Sequence, residues 1–224
     1  MDRILRRIIL DQMTTYCEIA TSIETHWESQ IHPIRARLEQ AVAEGDEEGT
    51  EWHSEQWAAF DAFQVGPQRE ALFLGLWAFF EGNLIALTKE VRKSVGKSGD
   101  WKPSKDIVFS SIKALKSDGN IDVLSPTQLA DLKVLRNLRN CITHNQGQVK
   151  GDWFNAEFKA TGDHELIQTF MRRHGLGNIS NPKIELHSSF LPFAANALSA
   201  LLKDLYDRDE ELRPNGSDWD WQYP

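Results

Sequence analysis

Cysteine is nearly absent: Cys17 and Cys141 are the only two in 224 residues. So few thiols exclude a disulfide scaffold and any cysteine-based zinc site, and they fit a reducing cytosol. Long uncharged apolar runs are missing as well. The longest, residues 71–80, falls far short of the roughly 20 residues that cross a bilayer. Asp11 interrupts the apolar stretch behind the basic start too early for a secretory signal. These features predict a cytoplasmic protein without a membrane span. No Gly-x-Ser-x-Gly elbow, dinucleotide glycine pattern or paired-cysteine motif occurs. Gly96-Lys97-Ser98 ends like a phosphate-binding loop, but that motif needs glycine at position 91, where valine stands. His26 and His32, like His164, His174 and His187, lack helical metal-ligand spacing. No cofactor or metal is expected.

What is present is ordinary globular composition, 41% hydrophobic and 26% charged, which excludes wholesale disorder. A net charge of −8 argues against broad electrostatic binding to nucleic acid, while leaving room for a local basic groove. Eight tryptophans call for a large aromatic core or exposed aromatic anchors.

Hydrophobic periodicity predicts an all-α fold. Residues 4–42 read as one amphipathic helix, bent or restarted at Pro33. Between Glu39 and Asp61 lie eight acidic residues and no lysine or arginine, and the centre, residues 44–50, reads as a solvated loop. Residues 68–92 are apolar around almost the whole circumference, which predicts a buried central helix containing Glu81. Glu81 either reaches the surface or caps a neighbour, or is a buried carboxylate supporting the site. A Gly/Ser/Lys loop follows, and residues 89–105 hold six basic and two acidic side chains. Ser125 and Pro126 begin another helix as N-cap and first residue, with Gly147 placed to end it. Residues 153–158 and 183–187 alternate like two short strands, with a helix over 165–174 closed by Gly175. A last amphipathic helix starts near Ser188 or Ser189 and carries Phe190 to Leu205 at steps of three and four. No repeat or clean linker divides the chain. The reading is a single helical domain over residues 1–206, a small β-containing insertion at about 148–187, and an acidic, Trp-rich tail over 207–224.

Chemistry concentrates on the helix after Pro126. Leu132, Leu135, Leu138 and Ile142 form its core stripe. Lys133, Arg136, Asn137, Asn140 and His144 gather on the other side, with Arg139 on the border. Asn140 and His144 are four apart, so the amide can orient the imidazole. Arginine offers a planar fork to phosphate oxygens, and histidine moves protons near neutral pH. This set suits a phosphodiester. A solvated helix face that merely lacks acids is the alternative.

Arg139-Asn140-Cys141-Ile142-Thr143-His144 resembles the Arg-x(4–6)-His motif of the HEPN superfamily (higher eukaryotes and prokaryotes nucleotide-binding). In that family a polar residue, often asparagine, follows the arginine. Asn145-Gln146-Gly147 is similar to the family's continuation, and the apolar helix containing Phe80-Glu81, Leu84 and Leu87 resembles its buried helix. The resemblance covers roughly residues 68–206. It implies a HEPN-like helical bundle and a homodimer whose motif helices meet at one cleft. It implies a metal-independent endoribonuclease of a toxin or phage-defence system, with an RNA substrate and an antitoxin or other defence protein as partner. His144 would be the acid–base group, Arg139 would hold the phosphate, and Asn140 would orient His144 or the phosphate. Lys133, Arg136 and Asn137 would bind RNA. Members paired with a nucleotidyltransferase antitoxin carry a tyrosine shortly after the histidine, which is missing here. The family also contains catalytically silent interaction or nucleotide-binding modules, and a charge of −8 suits those.

Overall fold

The computed structural model describes residues 3–97, 99, 101–122, 124–145, 162–180 and 183–213. It is all-α with a small two-stranded sheet before the last helix. In chain order the elements are α1 (Arg3–Glu44), α2 (Glu47–Phe60), a π-helical turn (Asp61–Val65) and α3 (Gly66–Ser94). Then come α4 (Ile107–Gly119), α5 (Pro126–Asn145), α6 (Gly162–His174), β1 (Gly177–Ser180), β2 (Lys183–Leu186) and α7 (Phe190–Leu212).

Local chemistry explains several boundaries, including some that differ from the sequence reading. Pro33 does not interrupt α1. It is exposed, so the Ser29 carbonyl that loses its helical donor can bond to water instead. The expected acidic loop over 44–50 is mostly helix. Asp46 caps α2, its carboxylate accepting from the Gly49 N–H at 3.0 Å. Glu47 and Glu48 in the first turn complement the helix dipole. Helix α4 went unread in the sequence; Asp106 caps it through the Phe109 N–H at 3.3 Å. Ser125 and Gln128 form a reciprocal cap on α5. The Ser125 hydroxyl accepts from the Gln128 N–H at 3.2 Å, and the Gln128 side chain accepts from the Ser125 N–H at 2.8 Å.

Gly175, at φ 63°, ends α6 as expected. β2 pairs antiparallel with β1, a strand not read in the sequence, with Gly177 opposite Leu186. Only glycine fits at 177, because a Cβ there would collide with the Glu185 carbonyl across the ladder. The expected strand over 153–158 lies outside the described residues, as do Gly147 and residues 214–224. Ser189 does not act through its hydroxyl as a simple cap; that hydroxyl donates to the Gly175 carbonyl at 2.6 Å. Helix α7 also runs past the expected boundary at 206. Asp207–Leu212 are helical, and Asp209 is buried with Arg213 Nε donating to it at 2.7 Å.

Two compact units alternate along the chain. The first comprises Met1–Tyr16, Gly75–Leu132 and Ala195–Pro224. Its core is aromatic and aliphatic, with Trp77, Phe80, Leu84, Leu115, Leu198 and Tyr206 buried. Arg6 reaches Asp207 and Glu210, and Asp118 receives both Arg92 and Lys97.

The second unit comprises Cys17–Leu74 and Lys133–Ala194. Here Phe73 meets Phe190 edge-on, centroids 5.0 Å apart. Arg69 and Glu24 form a buried, bidentate ion pair at 2.8 and 2.7 Å, and Arg69 also donates to the Leu186 carbonyl at 2.8 Å. The guanidinium lies over the Trp27 ring at 5.5 Å.

Helix α3 is less enclosed than its composition suggests. Phe73, Leu76, Trp77, Phe80, Leu84 and Leu87 are buried, but Ala71, Gly75, Ala78, Gly82 and Ala86 are exposed. The small residues mark an open side that hydrophobicity alone does not distinguish from core. The helical run Glu47–Ser94 also contains an 18-residue window apolar enough, by length and composition, to cross a membrane, and 39% of that window is buried. The sequence reading missed it by counting only uncharged residues.

Candidate functional site

The candidate residues of α5 all belong to the second unit. The expected core stripe is buried: Leu132, Leu135, Leu138 and Ile142. The buried sector is wider than that stripe, since Val134, Cys141 and Asn137 are buried too. Asn137 was expected on the polar face and lies instead within the protein. Its amide oxygen accepts from Arg136 Nε at 3.3 Å and Nη2 at 2.9 Å. A buried amide needs such partners, which a wheel of sequence positions does not reveal.

The remaining polar face is narrow. Lys133 and His144 are exposed, whereas Arg136, Arg139 and Asn140 are half-buried. Arg139 Nη1 donates to Asn140 Oδ1 at 3.1 Å. That oxygen accepts from the arginine, a contact the sequence reading did not include. Thr143 closes the same turn by donating to the Arg139 carbonyl at 2.8 Å. The fork of Arg139 is thus held by a neighbour, while the His144 ring stands at the surface near the end of the helix. Chemically, the face can neutralise a phosphate and offers one imidazole for proton transfer.

Glu81 lies on α3 in the first unit and is half-buried. His26 and His32 are exposed, and His174 sits between Phe170 and Phe193 at centroid distances of 4.9 and 4.8 Å. Among the described residues no three or more His, Cys, Asp or Glu side chains are grouped to hold a metal ion. An open acidic depression of ≈430 Å³, lined by Asp46, Glu48, Glu51, Trp52 and Glu55, shares no residue with the α5 face.

The sequence reading missed the Glu24–Arg69 pair. A signal existed: Ala20, Glu24, Trp27 and Ile31 recur at steps of four, three and four, so Glu24 occupies an otherwise apolar stripe. Burial holds the Glu24 carboxyl above its usual range despite the opposing hydrogen bond and charge of Arg69.

Comparison of the chain with protein-family models, curated proteins and solved structures finds no match.

Proposed function

We propose that the chain is a metal-independent endoribonuclease of a toxin or phage-defence system, acting in the cytoplasm on RNA. One observation carries the reading: Lys133, Arg136, Asn140 and His144 share one face of α5, with Arg139 at its border, in the form Arg-Asn-x-x-x-His. Its likeness to the HEPN motif supports the same conclusion.

The chemistry would run by internal attack. The ribose 2′-oxygen attacks phosphorus, its proton passes to an imidazole, and the bond to the 5′-oxygen breaks as that oxygen takes a proton. The products are a 2′,3′-cyclic phosphate and a 5′-hydroxyl. Arg139 holds the phosphate and stabilises the charge that builds on its oxygens. Asn140 positions Arg139, and Lys133 and Arg136 bind the flanking backbone. One α5 supplies one histidine, so separate base and acid roles call for a homodimer with both motif helices at one cleft. An antitoxin or other defence protein would restrain the activity.

Expression should arrest growth for the wild type and not for His144→Ala. Equal growth of cells making either protein would remove the toxin reading. The second reading, a catalytically silent HEPN-like interaction or nucleotide-binding module, is favoured by the net charge of −8, which opposes strong RNA binding outside the one face.

A further inference from the structure

We propose that the outward side of α2 docks an arginine-rich segment of a partner protein, with Trp52 as its anchor. Helix α2 buries none of its 14 residues. Gly49, His53, Gln56 and Phe60, at steps of four, three and four, are half-buried and form its more enclosed side. Glu48, Glu51, Trp52 and Glu55 are exposed, Trp52 by 59%. A helix this short is marginal in water by itself and gains most of its stability by covering an apolar face. The indole of Trp52 supplies the apolar surface, and the protomer leaves it open.

Charge complementarity identifies the occupant. Glu48 lies four positions before Trp52 and Glu55 three after it, so both carboxylates stand beside the indole on one side of the helix. With Asp46, Gly49 and Glu51 they line the open depression of ≈430 Å³. None of Glu48, Glu51 and Glu55 is in an ion pair with a described residue. The surrounding stretch, residues 39–61, supplies eight acidic side chains and no lysine or arginine.

The other flank of the same helix shows which cation fits. Trp57 lies five positions on from Trp52, about 140° around the helix. Arg35 of α1 sits over the Trp57 ring at 5.6 Å and donates to the Glu28 carboxylate at 2.9 Å. Carboxylate, guanidinium and indole are thus already assembled on that flank. At Trp52 the indole and the carboxylates are present and the guanidinium is not. A guanidinium lies flat on an indole while its edge N–H groups reach carboxylates beside the ring, whereas an ammonium has no plane to stack. RNA, as a polyanion, is repelled by the same carboxylates. All these residues belong to the second unit and none to the α5 face, and the proposal does not rest on the ribonuclease reading.

Fluorescence anisotropy and NMR on the full chain test the proposal. The probes are a fluorescein-labelled peptide of alternating arginine and alanine, its lysine counterpart, and spermine. In protein labelled with ¹⁵N-tryptophan, the arginine peptide should shift the indole N–H resonance of Trp52, assigned by its loss in Trp52→Phe. Trp52→Ala and the double variant Glu48→Gln/Glu55→Gln should each raise the dissociation constant about tenfold or more. The helical circular dichroism should stay unchanged, because α2 buries none of these side chains. The lysine peptide should bind more weakly than the arginine peptide. Absence of binding, or binding that both variants leave intact, overturns the proposal. Equal affinity for the lysine peptide or spermine also overturns it, since the face would then select charge alone. So does self-association of the wild type in sedimentation velocity that Trp52→Ala abolishes, because a second copy would then cover the face.

Discussion

Arg139 donates to the side-chain oxygen of Asn140 at 3.1 Å, so the amide beside the motif arginine serves the arginine. On the proposed ribonuclease reading, this contact would make Asn140 a positioning residue for Arg139. Asn140→Ala should lower cleavage about tenfold, the scale of one hydrogen bond to a charged group. The loss should be smaller than for Arg139→Ala. If Asn140 instead oriented His144, its removal would shift the pH profile of kcat, and steady-state assays across pH distinguish the two.

The Glu24–Arg69 pair is a stability determinant of the second unit. Both side chains are 6% exposed, and Arg69 is further tied to the Leu186 carbonyl and the Trp27 ring. Glu24→Leu should cost about 3–5 kcal/mol, because it takes the bidentate partner from a buried guanidinium and leaves it only Asp61 at 3.5 Å and the Leu186 carbonyl. The double variant Glu24→Leu/Arg69→Met should cost much less than the two single changes combined. Urea denaturation of the four proteins completes the cycle, and simple additivity would show that the two groups act independently.

Stability should also respond to pH through Glu70. Burial raises its pKa above the ordinary 4.5, with Lys183 opposing the shift. The folded protein therefore keeps a proton that the unfolded chain has already lost, over the window from 4.5 up to the raised value. Its contribution is fully present below that window and is lost as pH rises through it. Glu70→Gln should stabilise the protein at neutral pH and give no gain in acid. Thermal melts of both proteins on either side of the window check the sign.

Much of the helical layout was legible because apolar residues at steps of three and four report a buried helix face directly. Helix α7, the cap at Ser125 and the stop at Gly175 followed from such local rules. The acidic stretch around residues 44–50 did not, because Asp46, Glu47 and Glu48 suit a loop and a helix start equally well by composition. Asn137 shows the corresponding limit at the site. A wheel position near 80° from Leu129 looks polar-facing until the width of the buried sector is known, and that width depends on what packs beside α5. The exposed side of α3 was hidden for the same reason. Ala71, Gly75, Ala78, Gly82 and Ala86 are as compatible with core as with an open edge.

The sharpest chemical prediction concerns the nucleophile. If Arg139 and His144 cut RNA by attack of the ribose 2′-oxygen, cleavage should persist in EDTA, since the groups needed are an imidazole and a guanidinium. His144→Ala and Arg139→Ala should each lower kcat about 10²-fold or more, the scale for losing an acid–base group or a transition-state charge partner. Neither change should unfold the protein, because His144 is exposed and Arg139 half-buried. Arg139→Lys should not restore the rate, since an ammonium lacks the planar fork. A strand with a single 2′-deoxyribose at the cut site should resist entirely, while the same strand with ribose yields a cyclic phosphate detectable by mass spectrometry. Cleavage of the deoxy substrate, or full activity in His144→Ala, would falsify this mechanism.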